Sequence, residues 1–293
     1  MKKVILRVLF TTSEAFPLIK TGGLADVSGS LPSALQKLGV DIRILIPGYP
    51  AVLNKLSNLQ TVAVLENLPV IHNATLMMGS IAETQVKVLA IKSSNLYERD
   101  GGPYSDAAGL EWLDNALRFG ILSKVAAILS GPNSPIPNWQ PDIVHCNDWQ
   151  TGLTPAYMKL VEHSQAKSIM SLHNMAFQGC YAPGWLSTLA LPHTNFAIEG
   201  FEYHGQLSFL KAGIFYADTV TTVSPSYAKE IQTAEFGFGL EGLLSKRGNE
   251  IKGILNGIET VEWNPETDPH LVKTYSATKL MGKKLVKEAL QKN

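Results

Sequence analysis

Seven short runs of aliphatic and β-branched residues, at 4–10, 41–46, 86–91, 143–146, 168–172, 219–223 and 251–255, recur along the chain. Longer amphipathic stretches between them fit helices over 24–38, 110–129, 153–162, 207–217 and 226–233. Gly39 ends the first helix, Gly131-Pro132 the second, and Pro225 stands at a first-turn position of the last. This alternation predicts βαβ units feeding a parallel sheet, an α/β fold of the Rossmann-like, doubly wound kind. Residues 61–78 are strand-like but poorly patterned. Residues 131–141 hold four prolines and predict a surface loop within one domain. The tail over 279–292 carries five lysines with Leu280, Leu285 and Leu290 between them, the pattern of a solvated helix.

Composition narrows the function. The 293 residues carry 25 Lys+Arg against 25 Asp+Glu, a net charge of 0, which excludes a nucleic-acid binder working through bulk positive charge. With 45% hydrophobic and 17% charged residues, the chain buries a sizeable core and is no disordered segment. Cys146 and Cys180, without a CxxC or Cys/His cluster, read as small buried side chains rather than a disulfide or zinc framework. Met1-Lys2-Lys3 and the apolar run after it resemble a signal peptide superficially. Arg7 breaks that run, and no small-residue cleavage site follows. No stretch reaches the ~20 apolar residues of a membrane span. A cytoplasmic setting is the expectation, with no membrane or nucleic-acid partner.

Most of the unusual polar residues fall just after a predicted strand. Glu14 and Lys20 follow the first, Pro47-Gly48-Tyr49 the second, His145 and Asp148 the fourth, His173-Asn174 the fifth, Ser224-Pro225 the sixth and Asn256-Gly257 the seventh. Ligands of open α/β sheets bind beyond the carboxyl ends of the strands, so these residues should converge on one cleft. Taken singly, Ser224 and Asn256 also read as cap or turn residues, and His145 as a hydrogen-bonded core histidine. The segment Lys20-Thr21-Gly22-Gly23-Leu24-Ala25-Asp26 carries the most chemistry. Two glycines before a helix leave backbone N–H groups bare at its positive end, and Lys20 adds a mobile charge suited to a phosphate or charged leaving group. A plain Gly-Gly turn is the alternative. The GxGxxG match over 237–242 follows a helix rather than a strand, so it predicts no dinucleotide site. No GxSxG elbow and no HExxH helix is present.

The string Ser13-Glu14-Ala15-Phe16-Pro17-Leu18-Ile19-Lys20-Thr21-Gly22-Gly23-Leu24-Ala25-Asp26-Val27 resembles the N-terminal signature of bacterial glycogen synthases and plant starch synthases, glycosyltransferase family 5. The stretches at 141–150, 172–174, 209–213, 222–228, 239–244, 254–258 and 263–268 agree with the same family in order. The resemblance implies the N-terminal half of a GT-B fold and retaining transfer of glucose from ADP-glucose (sometimes UDP-glucose) to an α-1,4-glucan acceptor. ADP-glucose is then a donor substrate, and no cofactor or metal is called for. By resemblance Lys20 is the donor-site lysine beside the diphosphate, and Gly22-Gly23 allow backbone approach. Asp148 and His173 line the glucosyl site as the catalytic candidates, with Asn174, Tyr104 and Asn256 facing the sugar; Glu14 and Asp26 match the signature. Retention without a clear carboxylate pair is compatible with same-face attack, so no covalent nucleophile is assigned.

The sequence departs from the family in two ways. Cys146 and Asn147 stand where Ala and His are common and Gln150 where His is often found, so no second histidine accompanies Asp148. Nothing resembles the Arg and Lys clamp or the Glu-Pro loop of the family's second domain. The expectation is a catalytic domain over 1–265, a helical start of a linker over 266–293, and a missing C-terminal donor-binding domain, the chain alone turning over ADP-glucose negligibly. A stand-alone glucan-binding module without catalysis is the competing reading.

Overall fold

The computed structural model describes residues 5–292, so Val4, where the first expected strand begins, lies outside the described residues. Twelve strands are present among them: β1 (Arg7–Thr11), β2 (Asp41–Pro47), β3 (Ser57–Leu68), β4 (His72–Ser80), β5 (Lys87–Lys92), β6 (Ile143–Asn147), β7 (Lys167–Leu172), β8 (Cys180–Tyr181), β9 (Glu202–Tyr203), β10 (Gln206–Ser208), β11 (Thr219–Thr222) and β12 (Lys252–Gly253). The α-helices are α1 (Gly23–Lys37), α2 (Pro50–Lys55), α3 (Ser94–Tyr97), α4 (Asn115–Ser130), α5 (Thr154–Leu160), α6 (Trp185–Thr188), α7 (Phe209–Tyr216), α8 (Pro225–Glu230), α9 (Glu241–Arg247) and α10 (Met281–Leu290).

Nine strands form one sheet in the order β12-β11-β7-β6-β1-β2-β5-β4-β3. From β12 to β5 every pairing is parallel, and β4 and β3 add an antiparallel edge. Parallel strands covered on both faces need apolar residues on both, which is why β2 is buried from Ile42 to Pro47 and the runs were visible in the sequence. The chain builds outward from β1 through β2 to β5, then returns to lay β6, β7, β11 and β12 on the other side. The order therefore reverses between β1 and β6, where a doubly wound sheet opens a crevice beyond its carboxyl ends.

Three expectations shift and one holds. Residues 61–78 form a hairpin rather than one strand, turning at Pro69–Ile71 with three register irregularities, so their pattern follows no single period. The helix expected from Leu110 starts at Asn115, because Leu110 and Leu113 are apolar yet exposed in a loop. The strand expected over 251–255 shortens to Lys252–Gly253 at the sheet edge. Residues 237–242 run from a turn into α9 with no strand before them, as their context predicted.

Helix α4 is buried at every position but Ile128, since it is apolar almost all round, and it packs against β1, β2 and α5. One compact unit extends to Asn256; a smaller one follows from Gly257. In the latter, Asn264 caps a turn by accepting the Glu266 N–H at 3.0 Å, and Lys283 lies 5.9 Å from the Tyr275 ring centroid. Among the described residues no helix is long and apolar enough to cross a membrane.

Candidate active site

The exit of β1 carries Thr11-Thr12-Ser13-Glu14 directly into the reversal point of the sheet. Glu14 is only 3% exposed, and both of its oxygens are engaged. Oε2 accepts the N–H groups of Thr21 at 2.5 Å and Gly22 at 3.2 Å, and Oε1 accepts the Tyr104 hydroxyl at 2.6 Å. Because Tyr104 gives its proton to a carboxylate, Ser13 Oγ, 2.8 Å away, must donate to Tyr104 Oη. Burial, then the charge of Glu14, push the Tyr104 hydroxyl well above its ordinary pKa, so it stays a donor. Gly29 lets this loop settle on α1: a Cβ there would stand 2.3 Å from the Phe16 carbonyl oxygen.

The glycine turn differs from the sequence reading in one respect. The Gly22 N–H is not bare, because Glu14 holds it. The Ala25 N–H donates to the Gly22 carbonyl at 3.3 Å, but the Gly23 and Leu24 N–H groups lack intrahelical acceptors, and a Cβ built on Gly22 or Gly23 meets nothing within 4 Å. Space for an anion at the positive helix end remains. Lys20 reaches over that end and is held by Asp26, its Nζ lying 2.7 and 2.8 Å from the two carboxylate oxygens. Both side chains are 43% exposed, so this pair is worth only about 0–1 kcal/mol and yields readily to a stronger anion.

Across the crevice, the turn after β6 holds Asp148 at φ 55°, ψ −177°. This backbone region is almost reserved for glycine, and a side chain there costs on the order of 1–3 kcal/mol unless neighbours enforce it. They do: the Asp148 N–H donates to Ser171 O at 3.0 Å and its carbonyl accepts the Thr151 N–H at 3.1 Å. Its Oδ1 accepts the N–H groups of His173 at 2.7 Å and Asn174 at 3.3 Å. Oδ2 takes no hydrogen bond among the described residues. Burial pushes the Asp148 carboxyl above its usual range, against the pull of the His173 charge and of those two N–H groups. Glu14 adds a smaller upward push, so the two arms of the site feel each other electrostatically.

His173 is oriented by a residue that sequence reasoning noted only as a departure. Asn147 is 1% exposed, and its Nδ2 donates to Thr11 O at 3.0 Å. Its Oδ1 therefore faces His173 Nε2 at 3.1 Å, which makes Nε2 the protonated nitrogen. Asn147 thus ties the β1 and β6–β7 arms together. The signal was available in the sequence, as a polar residue closing a largely apolar strand just before Asp148.

The remaining candidates separate. Asn174 sits at the rim, its Oδ1 accepting the Ala176 N–H at 2.9 Å. Asn256 is exposed beyond β12, four strands from β1, and no hydrogen bond joins it to the cluster among the described residues. Ser224 is the N-cap of α8, its Oγ accepting the Tyr227 N–H at 2.9 Å. His145 lies on the sheet face behind the site, with Nε2 2.7 Å from Ser171 Oγ, which in turn lies 2.5 Å from Thr221 Oγ1. Burial, then the His173 charge, lower its pKa to about 4, so it is neutral.

An anion-ready glycine turn facing a strained acidic turn, at the reversal point of a parallel sheet, defines a Rossmann-like ligand-binding half of the GT-B type. Known proteins agree. Residues 7–246 match the family described as starch synthase catalytic domain, and the chain belongs to that family. It is 52% identical over 289 residues to a glycogen synthase of Nitrosomonas europaea and 53% identical over 289 residues to one of Nitrosospira multiformis. Each match covers 98% of this chain and 58% of the relative, so the chain spans under three-fifths of these relatives' length. The solved catalytic domain of starch synthase IV from Arabidopsis thaliana, bound to ADP and acarbose, superposes with a TM-score of 0.82 at 30% identity, covering 99% of this chain and 59% of that one.

Proposed function

We propose that this chain forms the acceptor-side half of a glycogen (starch) synthase that transfers glucose from ADP-glucose to the non-reducing end of an α-1,4-glucan with retention, in the cytoplasm. The observation that carries this reading is the facing of the Lys20–Gly23 turn and the Asp148–His173 turn across the β1/β6 crevice. A leaving diphosphate meets the N-terminus of α1, and Lys20 exchanges Asp26 for a phosphate oxygen, neutralising charge as the glycosidic bond breaks. The oxocarbenium-like sugar needs negative or polar groups beside it; Asp148 Oδ2 supplies the charge, beside the His173 imidazole, whose Nε2–H is held by Asn147 Oδ1. Asp148 acts as an electrostatic and orienting group, fixed before substrate arrives. Tyr104 and Asn174 border the sugar, and Asn256 reaches it only from the far edge of the sheet. A second, donor-binding domain supplies the remaining cations on the diphosphate.

The test assays the full product of the gene, read past the codon for Asn293, for ADP release from ADP-glucose with glycogen as primer. The expected product is an elongated chain with α-1,4 linkages by NMR, while the 293-residue chain alone is nearly inactive. Absence of ADP release, or a β-linked product, would overturn the reading.

A further inference from the structure

Arg118, on α4, is 1% exposed and has no carboxylate within ion-pair distance among the described residues. Neutral groups solvate it instead. Its Nε donates to Leu96 O at 2.9 Å, and its Nη1 donates to Pro103 O at 2.8 Å and Asn115 Oδ1 at 2.7 Å. The rings of Tyr49, Tyr97, Trp112 and Phe119 surround it at 5.6–5.9 Å. Burying a guanidinium against neutral partners is unfavourable compared with an apolar side chain of equal volume, so packing alone does not account for it. A guanidinium accepts no hydrogen bonds, so Asn115 must turn Oδ1 to Arg118 and Nδ2 away from it. That Nδ2 donates to the Tyr104 carbonyl oxygen at 2.9 Å.

From Tyr104 the connection continues into the site, through its hydroxyl to Glu14 Oε1 and from Glu14 Oε2 to the N–H groups of Thr21 and Gly22. We propose that Asn115 and Arg118 are positioning residues, which carry the rigidity of α4 through Tyr104 and Glu14 to the Lys20–Gly23 turn. Neither touches the crevice itself. Arg118 clamps the Pro103 carbonyl while Asn115 clamps that of Tyr104, so the two fix the peptide units on either side of the Tyr104 Cα and aim the phenol. Helix α4 is a suitable anchor because it is enclosed almost throughout. What the turn binds rests on the transferase reading; the coupling itself does not.

The test is Asn115→Asp in the 293-residue chain. The substitution keeps volume and an acceptor for Arg118, but it places an oxygen against the Tyr104 carbonyl where a donor stood. Amide hydrogen exchange at Thr21 and Gly22 should accelerate at least tenfold, while the unfolding midpoint and exchange in β6 stay as in the parent. The Thr21 amide proton, held by a carboxylate at 2.5 Å, should also move upfield in the NMR spectrum. Faster exchange confined to the loop around Gly102 and Trp112, with Thr21 and Gly22 unchanged, would overturn the proposal. Should Asn115→Asp fail to fold, Tyr104→Phe removes the one hydroxyl of the relay and is judged by the same two amides. These outcomes are separate from those of the activity assay, since exchange needs no substrate.

Discussion

The two arms of the crevice are built from similar residue types but held in opposite ways. On the β6–β7 side, Asp148 is fixed by its own N–H and carbonyl and by two N–H groups on Oδ1, and its backbone sits where only enforcement keeps a side chain. On the β1 side, Lys20 and Asp26 are exposed and hold each other alone, at the end of a turn anchored further back by Glu14. A group that must meet a developing positive charge gains from being immobile before reaction. A cation that must follow a departing diphosphate gains from a weak resting partner. The contrast predicts that substitutions in the rigid arm separate activity from stability, whereas those in the mobile arm change donor affinity and little else.

The largest effect is expected from Asp148→Asn. The amide keeps an oxygen for the His173 and Asn174 N–H groups and is isosteric with the carboxylate, so the same neighbours enforce its backbone and chiefly the charge is lost. Turnover by the full-length gene product should fall by about 10²–10³-fold, the scale of removing one preorganised electrostatic group. Stability should hold or rise, because folding raises this carboxyl's pKa and so disfavours its charged form. The matching sign in the parent is that stability due to Asp148 is lost as pH rises through the raised pKa. Urea denaturation and ADP-release kinetics on one preparation check both halves. Parallel losses of activity and stability would erase the distinction between the arms.

Second comes the support behind the rigid arm. His145 titrates near 4 when folded and near its ordinary 6.5 when unfolded. The unfolded chain therefore binds the extra proton between those values, so stability rises with pH from about 4 to about 6.5 and is level above. Between pH 7 and pH 5 this one group should remove about 2 kcal/mol. A His145→Asn variant should flatten that part of the urea-denaturation profile; an unchanged slope would show that another group sets it.

How far these features were legible follows from the range over which each acts. Strands β1, β2, β5, β6, β7 and β11 were visible because burial on both faces demands continuous apolar runs, and the clustering of polar residues after them followed from topology. The hairpin edge was not, since bulges destroy its period. Leu110 and Leu113 misled the start of α4 by being apolar and exposed. Within the site, the Lys20–Gly23 turn is local and showed in a seven-residue window. The Glu14–Tyr104 hydrogen bond spans 90 positions and the Asn147–Thr11 bond 136, and no periodicity encodes such pairs. Lys20–Asp26 lies only six residues apart, yet its pairing across a helix start depends on loop geometry rather than on spacing.

The mobile arm supplies the next effect. Lys20→Ala should raise the KM for ADP-glucose about tenfold, equivalent to ~1.4 kcal/mol of lost phosphate contact, while turnover at saturation falls less. Stability should stay within about 0.5 kcal/mol, because the side chain is exposed and its one ion pair is a surface pair. A turnover loss as deep as that of Asp148→Asn, at unchanged KM, would place Lys20 in the rigid class.

The smallest effect discriminates most sharply between holding and competing. If Asp26 merely parks Lys20, Asp26→Asn frees the ammonium and the donor KM falls. The gain is bounded by the worth of an exposed pair, about 0–1 kcal/mol, and so by roughly fivefold. It should fade as salt approaches about 1 M, where the Debye length shrinks to ~3 Å and the competing charge is screened. If Asp26 instead aims Lys20 at the diphosphate, the same variant raises KM, because the ammonium then searches more rotamers before finding its partner. The 2.7 and 2.8 Å contacts do not discriminate between these roles, since both need them. The open first turn of α1 favours parking: the anion's place is set by backbone N–H groups that Asp26 does not contact, and Lys20 must leave Asp26 to reach it. A KM that falls two- to fourfold at low salt and converges with the parent at high salt is the expected result, and a KM that rises at every salt concentration would overturn it.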